Sequence, residues 1–109
     1  MPLYQIRIDI QENKIDEFVR SLHPLWFKFL KGEGCLRYRV YREFERENTF
    51  CLVGEFVTHE AMENHFQTSD FEVLIGATSV LGNAFKMTIT EILAKGEKDL
   101  AKSKLAGRG

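Results

Sequence analysis

Glu55-Phe56-Val57-Thr58-His59-Glu60-Ala61-Met62-Glu63-Asn64-His65, closed by Ser69-Asp70-Phe71 and Leu74, decides how this chain is read. An apolar strand ends near Val57. Thr58 then supplies a hydroxyl that can accept from the first free amides of a helix. His65 sits two turns into that helix, three and four residues after Met62 and Ala61, so the three share a face. Ser69-Asp70-Phe71-Glu72 fits a capping box and opens a second helix, which should bury Phe71, Leu74, Ile75 and Leu81 and end at Gly82-Asn83. A histidine is thereby expected on an inward helix face, between an aromatic-rich strand and a second short helix.

Working outward, Tyr4, Ile6, Ile8 and Ile10 alternate with Gln5, Arg7 and Asp9, the pattern of a half-buried strand. Asn13 is placed to cap a helix in which Ile15, Phe18, Val19, Leu22, Trp26 and Phe29 recur at helical spacing. Pro24 lacks an amide donor and should kink or subdivide that helix near His23, and Gly32 and Gly34 should end it. From Cys35 to Phe44, Leu36, Tyr38, Val40 and Phe44 alternate with Arg37, Arg39, Tyr41 and Glu43. The short link Glu45–Asn48 makes a hairpin with Thr49–Val57. A register pairing Phe44 with Phe50 sets Val40 opposite Gly54, Tyr38 opposite Phe56 and Arg39 opposite Glu55, apolar on apolar and charge on opposite charge. Phe85, Met87 and Ile89 mark a last strand reaching about Leu93.

The order is β-α-β-β-α-α-β. It predicts an α+β, ferredoxin-like fold with a four-stranded antiparallel sheet covered by helices on one face. The second sheet face carries Tyr41, Cys51, Val53 and Val57 beside its charges, too apolar for water. Two copies are expected to pair through these faces as a two-fold homodimer.

The 109 residues suit one domain, placed at residues 1–94. Residues 95–109 hold five basic and two acidic side chains and read as a polar, basic tail, mobile or docked on a partner. The overall charge of −1 points to neither nucleic acid nor membrane as a partner. No apolar run is long enough to span a bilayer. Met1-Pro2-Leu3-Tyr4 begins as strand rather than as an export signal. Cys35 and Cys51 sit in strand patterns without metal spacing and are expected as free, packed thiols in a reducing cytoplasm.

His65 is the foremost chemical candidate. It can serve as a base or hydrogen-bond donor to a ligand, or as a core histidine bonded to a backbone carbonyl. His23 and His59 read as structural, and three scattered histidines form no metal site. Trp26, Tyr38, Phe56, Phe66 and Phe71, with Tyr4, Phe29, Phe50 and Phe85, can line a cavity for a planar ligand or simply fill the core. Arg37 and Arg39, with Tyr41, can steer an anion or pair across strands.

The pieces Glu33-Gly34-Cys35-Leu36-Arg37-Tyr38, Phe50-Cys51-Leu52-Val53-Gly54-Glu55-Phe56 and Glu60-Ala61-Met62-Glu63-Asn64-His65 with Ser69-Asp70-Phe71 fall in an order and spacing that resembles the antibiotic biosynthesis monooxygenase (ABM) domain family. The resemblance spans roughly residues 3–93. It implies a dimeric α/β barrel of small ferredoxin-like subunits. It also implies oxidation of a quinol-like or polyphenolic molecule by O2 without metal, flavin or other cofactor: a phenolic proton is removed, and the electron-rich anion meets oxygen directly. His65 matches the family's helix histidine and would be the catalytic base or hydrogen-bonding partner. Trp26, Phe56, Phe66 and Phe71 would be walls, with Tyr38 and Arg39 as further substrate contacts. Phe56 stands where many relatives carry Trp. The haem-degrading branch's Asn, Trp and His correspond here to Arg7 or Ile8, His65 and Ile75, so haem degradation is not implied. Two other readings stay open: a non-catalytic dimeric binding module, and an isomerase on a small cyclic acid that turns Arg37 or Arg39 into its cavity.

Overall fold

A computed structural model of the chain describes residues 1–106. Strand β1 (Pro2–Ile10) is followed by a 3₁₀ turn (Glu12–Lys14) and helix α1 (Ile15–Leu30). Then come β2 (Cys35–Arg42), β3 (Thr49–Phe56), α2 (His59–Phe66), α3 (Ser69–Leu81), β4 (Gly82–Glu91) and α4 (Lys98–Ala106). The four strands form one antiparallel sheet in the order β2-β3-β1-β4. β3 lies between β1 and β2, and β1 between β3 and β4, so two split βαβ units interlock. The expected α+β ferredoxin-like architecture is what the chain adopts, with an open sheet.

The alternation of β1 works as anticipated: Tyr4, Ile6, Ile8 and Ile10 are sealed under the helices. They meet Phe18, Leu22, Leu25 and Phe29 of α1, Leu52 and Phe56 of β3, and Leu74 of α3. Burial at this scale contributes about 1.5–3 kcal/mol per large apolar side chain and outweighs local defects. Pro24 shows this. It lies inside an unbroken α1 because one missing amide bond costs less than giving up the helix's buried face. Asn13 does not cap α1: the 3₁₀ turn runs into it, and Lys14 holds the cap position without a side-chain bond.

Thr58 caps α2 as read, its Oγ1 accepting from Ala61 N at 3.1 Å. The α3 cap is Thr68 rather than Ser69. Thr68 Oγ1 accepts from Phe71 N at 3.2 Å and donates to the His65 carbonyl at 2.7 Å. One hydroxyl thus fastens the end of α2 to the start of α3, which Ser69, one residue later, cannot do.

The hairpin register differs from the expected one by two residues. Tyr38 opposes Gly54, Val40 opposes Leu52 and Arg37, not Arg39, opposes Glu55. The faces survive a two-residue shift, since side chains alternate with period two. A bulge between Cys35 and Arg37 slips the register by one further residue at the start of β2, where Cys35 opposes Phe56. The connection is also longer than anticipated: Phe44 falls outside β2 and is fully exposed, with no partner strand to seat it. β4 likewise stops at Glu91, short of Leu93.

The tail is not featureless. Lys95 Nζ reaches Glu55 Oε1 at 2.5 Å on the open sheet face, and α4 follows with no buried residue. The radius of gyration, 15.9 Å, exceeds the roughly 13 Å of a compact chain this long because α4 stands away from the body.

Candidate functional site

The site begins with a glycine. On the helix-covered face, one row of the sheet reads Tyr38, Gly54, Tyr4, from β2 through β3 to β1. A Cβ on Gly54 would lie 2.8 Å from the Tyr4 ring, 3.0 Å from Tyr38 and 3.1 Å from Phe56. Its absence lets the two tyrosines lean together over the middle strand, and their hydroxyls meet at 2.6 Å. Helix α2 then lowers His65 onto the pair, with Nε2 2.7 Å from the Tyr4 hydroxyl. Tyr4, Tyr38 and His65 are 0%, 2% and 8% exposed.

Rings surround this chain of hydroxyls and imidazole. Phe29, Phe56 and Phe71 have centroids 4.7, 5.0 and 5.3 Å from His65. Phe66 lies 5.2 Å from Tyr4. Removal from water disfavours charge, so the His65 pKa falls to about 4 and the imidazole is neutral at physiological pH. Burial pushes both tyrosine hydroxyls well above the ordinary phenol range. It also raises the half-buried Cys35 thiol.

The predicted residues divide between two cavities. His65 and Phe56 line a groove of about 540 Å³ between the end of α1 and the α2–α3 corner, with Phe29, Val57 and Ala61 as its apolar surface and Asn64 and Thr68 as polar points. Lys28 and Asp70, 3.5 Å apart, pair at this groove. Trp26, Tyr38 and Arg39 instead line a pocket of about 530 Å³ where α1 meets β2. Trp26 is fixed there by its indole N–H, which donates to the Tyr38 carbonyl at 2.7 Å. Phe66 and Phe71 line neither cavity and back the His65–Tyr4 contact. Arg37 stands on the open face opposite Glu55. His23 is exposed beside Trp26, and His59 pairs with Glu91 at the surface. The tyrosine hydroxyls are what sequence reasoning missed. The signal was two inward tyrosines flanking a glycine, and only the correct register aligns them.

The family model described as antibiotic biosynthesis monooxygenase matches residues 1–76. The chain belongs to the antibiotic biosynthesis monooxygenase family. Solved structures share the ABM fold at low identity. A putative antibiotic biosynthesis monooxygenase from Deinococcus radiodurans is similar at TM-score 0.82 and 17% identity, covering 89% of this chain and 97% of that one. SnoaB, a cofactor-independent oxygenase from Streptomyces nogalater, is similar at TM-score 0.78 and 14% identity over 89% and 97%. A conserved protein from Methanosarcina mazei reaches 0.77 at 20% identity over 84% and 92%. No curated protein matches the sequence. No helix among the described residues is long and apolar enough to cross a membrane.

Proposed function

We propose that this ABM-family chain is a cofactor-independent monooxygenase that oxidises a quinol-like or polyphenolic molecule in the His65 groove. The observation that carries the reading is a neutral, desolvated imidazole on the groove wall, held from behind by Tyr4. Family membership and the fold shared with a cofactor-independent oxygenase support the same chemistry. For a dihydroxyarene, one atom of O2 enters the ring and the other leaves as water, giving a hydroxyquinone. The protein's part is to hold the planar ring and stabilise the oxygen anion that reacts.

His65 works in this scheme as a hydrogen-bonding partner rather than as a store for the proton. A phenol titrates near 10 and the buried imidazole near 4. Parking the proton on His65 would therefore cost ~8 kcal/mol. The proton goes to solvent at the groove mouth.

The working unit we propose is a homodimer joined through the open sheet faces. Tyr41 is exposed there, and Cys51 and Val53 are only half-buried; Val57, expected on that face, lies past the end of β3 and lines the His65 groove instead. The free thiols Cys35 and Cys51 fit a reducing, cytoplasmic setting.

The test is oxygen uptake across a panel of hydroquinones, wild type against His65→Ala. Uptake that falls at least tenfold in the variant supports the reading. Equal rates remove His65 from the reaction. Panel members that bind without any uptake by wild type make the chain a binding module instead.

A further inference from the structure

We infer that His65 carries its proton on Nδ1 and presents that N–H to the groove, so that the groove is built for an oxygen that only accepts: a phenolate or a carbonyl. The identity of the ligand rests on the function proposed above; the position of the proton does not.

The argument counts protons along one hydrogen-bonded chain. Among the described residues, the Tyr38 hydroxyl has one partner, the Tyr4 oxygen, and the Tyr4 hydroxyl has two, Tyr38 and His65 Nε2. Each tyrosine holds one proton, and neutral imidazole holds one on either nitrogen. If Tyr38 donates to Tyr4, Tyr4 is free to donate to Nε2. Nε2 must then be bare, and the ring proton sits on Nδ1. Every group in the chain is satisfied.

The reverse direction fails at its far end. With the proton on Nε2, His65 donates to Tyr4 and Tyr4 donates to Tyr38. The Tyr38 O–H then has no acceptor in a core where it is almost fully enclosed. An orphaned buried donor is costly enough to bias the two directions roughly ten- to a hundredfold. Nor can the chain ionise to escape, since burial disfavours both imidazolium and tyrosinate.

Nδ1 is the nitrogen open to a ligand. It makes no hydrogen bond among the described residues, yet none of their sealed side-chain nitrogens or oxygens lacks a partner. It is therefore not sealed, and the surface that His65 contributes to is the groove. A neutral phenol meeting this N–H must find a second partner for its own proton. A phenolate or a quinone carbonyl needs none. His65 acts there as a fixed oxyanion donor, and Tyr4 and Tyr38 are positioning residues that fix its tautomer.

Nitrogen-15 NMR of the full chain with labelled histidine reads this directly, with the His65 signals assigned by their loss in His65→Gln. At pH 7, Nδ1 is expected in the protonated form and Nε2 in the bare form; the opposite pattern overturns the proposal. Tyr38→Phe is expected to keep that pattern, because the Tyr4 hydroxyl then has only Nε2 to donate to, and a flip overturns the proton count. Tyr4→Phe removes the lock, and the bias should collapse toward a mixture of tautomers; an unchanged ratio denies Tyr4 its role. For the ligand, para-nitrophenol binding followed by absorbance should raise the ratio of ionised to neutral phenol about tenfold at fixed pH in wild type and not in His65→Phe. A fall in ionised fraction on binding overturns the acceptor preference. None of these readouts needs turnover, so a failed oxygen-uptake assay leaves them intact.

Discussion

Replacing Tyr4 by Phe removes a single oxygen from the centre of the molecule. The ring remains, and its contacts with Phe56, Phe66 and Phe71 remain with it. What disappears is the bridge at 2.6 and 2.7 Å between Tyr38 and His65. Two buried polar groups, the Tyr38 O–H and His65 Nε2, lose their partner, at about 1–3 kcal/mol each. The expected destabilisation is ~2–5 kcal/mol, a large part of the roughly 5–15 kcal/mol that holds a domain together. In urea, with a slope of about 1–3 kcal/mol/M, the midpoint should fall by ~1–3 M while the slope stays constant. The second variant sharpens the test. Tyr38→Phe alone should cost about 1 kcal/mol, the usual net worth of one bond. Added to Tyr4→Phe it should stabilise, since it deletes an orphaned donor. That reversal of sign is a coupling that a double-mutant cycle measures. A loss below ~0.5 kcal/mol in Tyr4→Phe, or simple additivity of the two, would refute the hydroxyl chain as a stabilising unit.

His65 makes stability depend on pH. Its pKa is about 4 folded, against an ordinary 6.5, so between these values the unfolded chain binds the extra proton and stability is lost as pH falls through the window. The full shift corresponds to ~3 kcal/mol; water at the groove-side nitrogen reduces the expected loss to ~2 kcal/mol. Urea midpoints from pH 7 to pH 4 should show it, and His65→Gln should flatten the slope; a variant as steep as wild type removes His65 as the cause. Gly34→Ala should cost ~2–4 kcal/mol, because φ is +78° and a Cβ would lie 2.5 Å from that of Ala61; thermal melting within a degree or two of wild type would contradict this. Sedimentation at micromolar concentration should find a dimer, and Val53→Glu on the open face a monomer; a monomeric wild type would end the face-to-face pairing.

The layers of the fold were readable in the chain because period two and period 3.6 are local. Tyr4 to Ile10 and the Phe18–Phe29 stripe declare their buried faces without knowing their neighbours. Thr58 declared its cap for the same reason. The errors cluster where a neighbour decides. Pro24 stays helical because α1 is pinned along its buried face, and Thr68 outranks Ser69 because it alone reaches back to α2. The tail's helix escaped notice because it has no apolar face to betray it.

The candidate site followed the same division. His65 could be singled out and placed on an inward face by counting along one helix. Its partners could not, since Tyr4 and Tyr38 are 34 residues apart and meet only where β2, β3 and β1 lie in one register. A shift of two residues preserves every buried face yet moves Gly54 from beside Val40 to beside Tyr38. By itself the sequence determined the elements from β1 through β4, their inward faces, the family and the histidine. Tertiary structure alone decided which oxygen that histidine touches, because a hydrogen bond is set to within a few tenths of an ångström by strands far apart in the chain, and alternation along a strand holds no information at that scale.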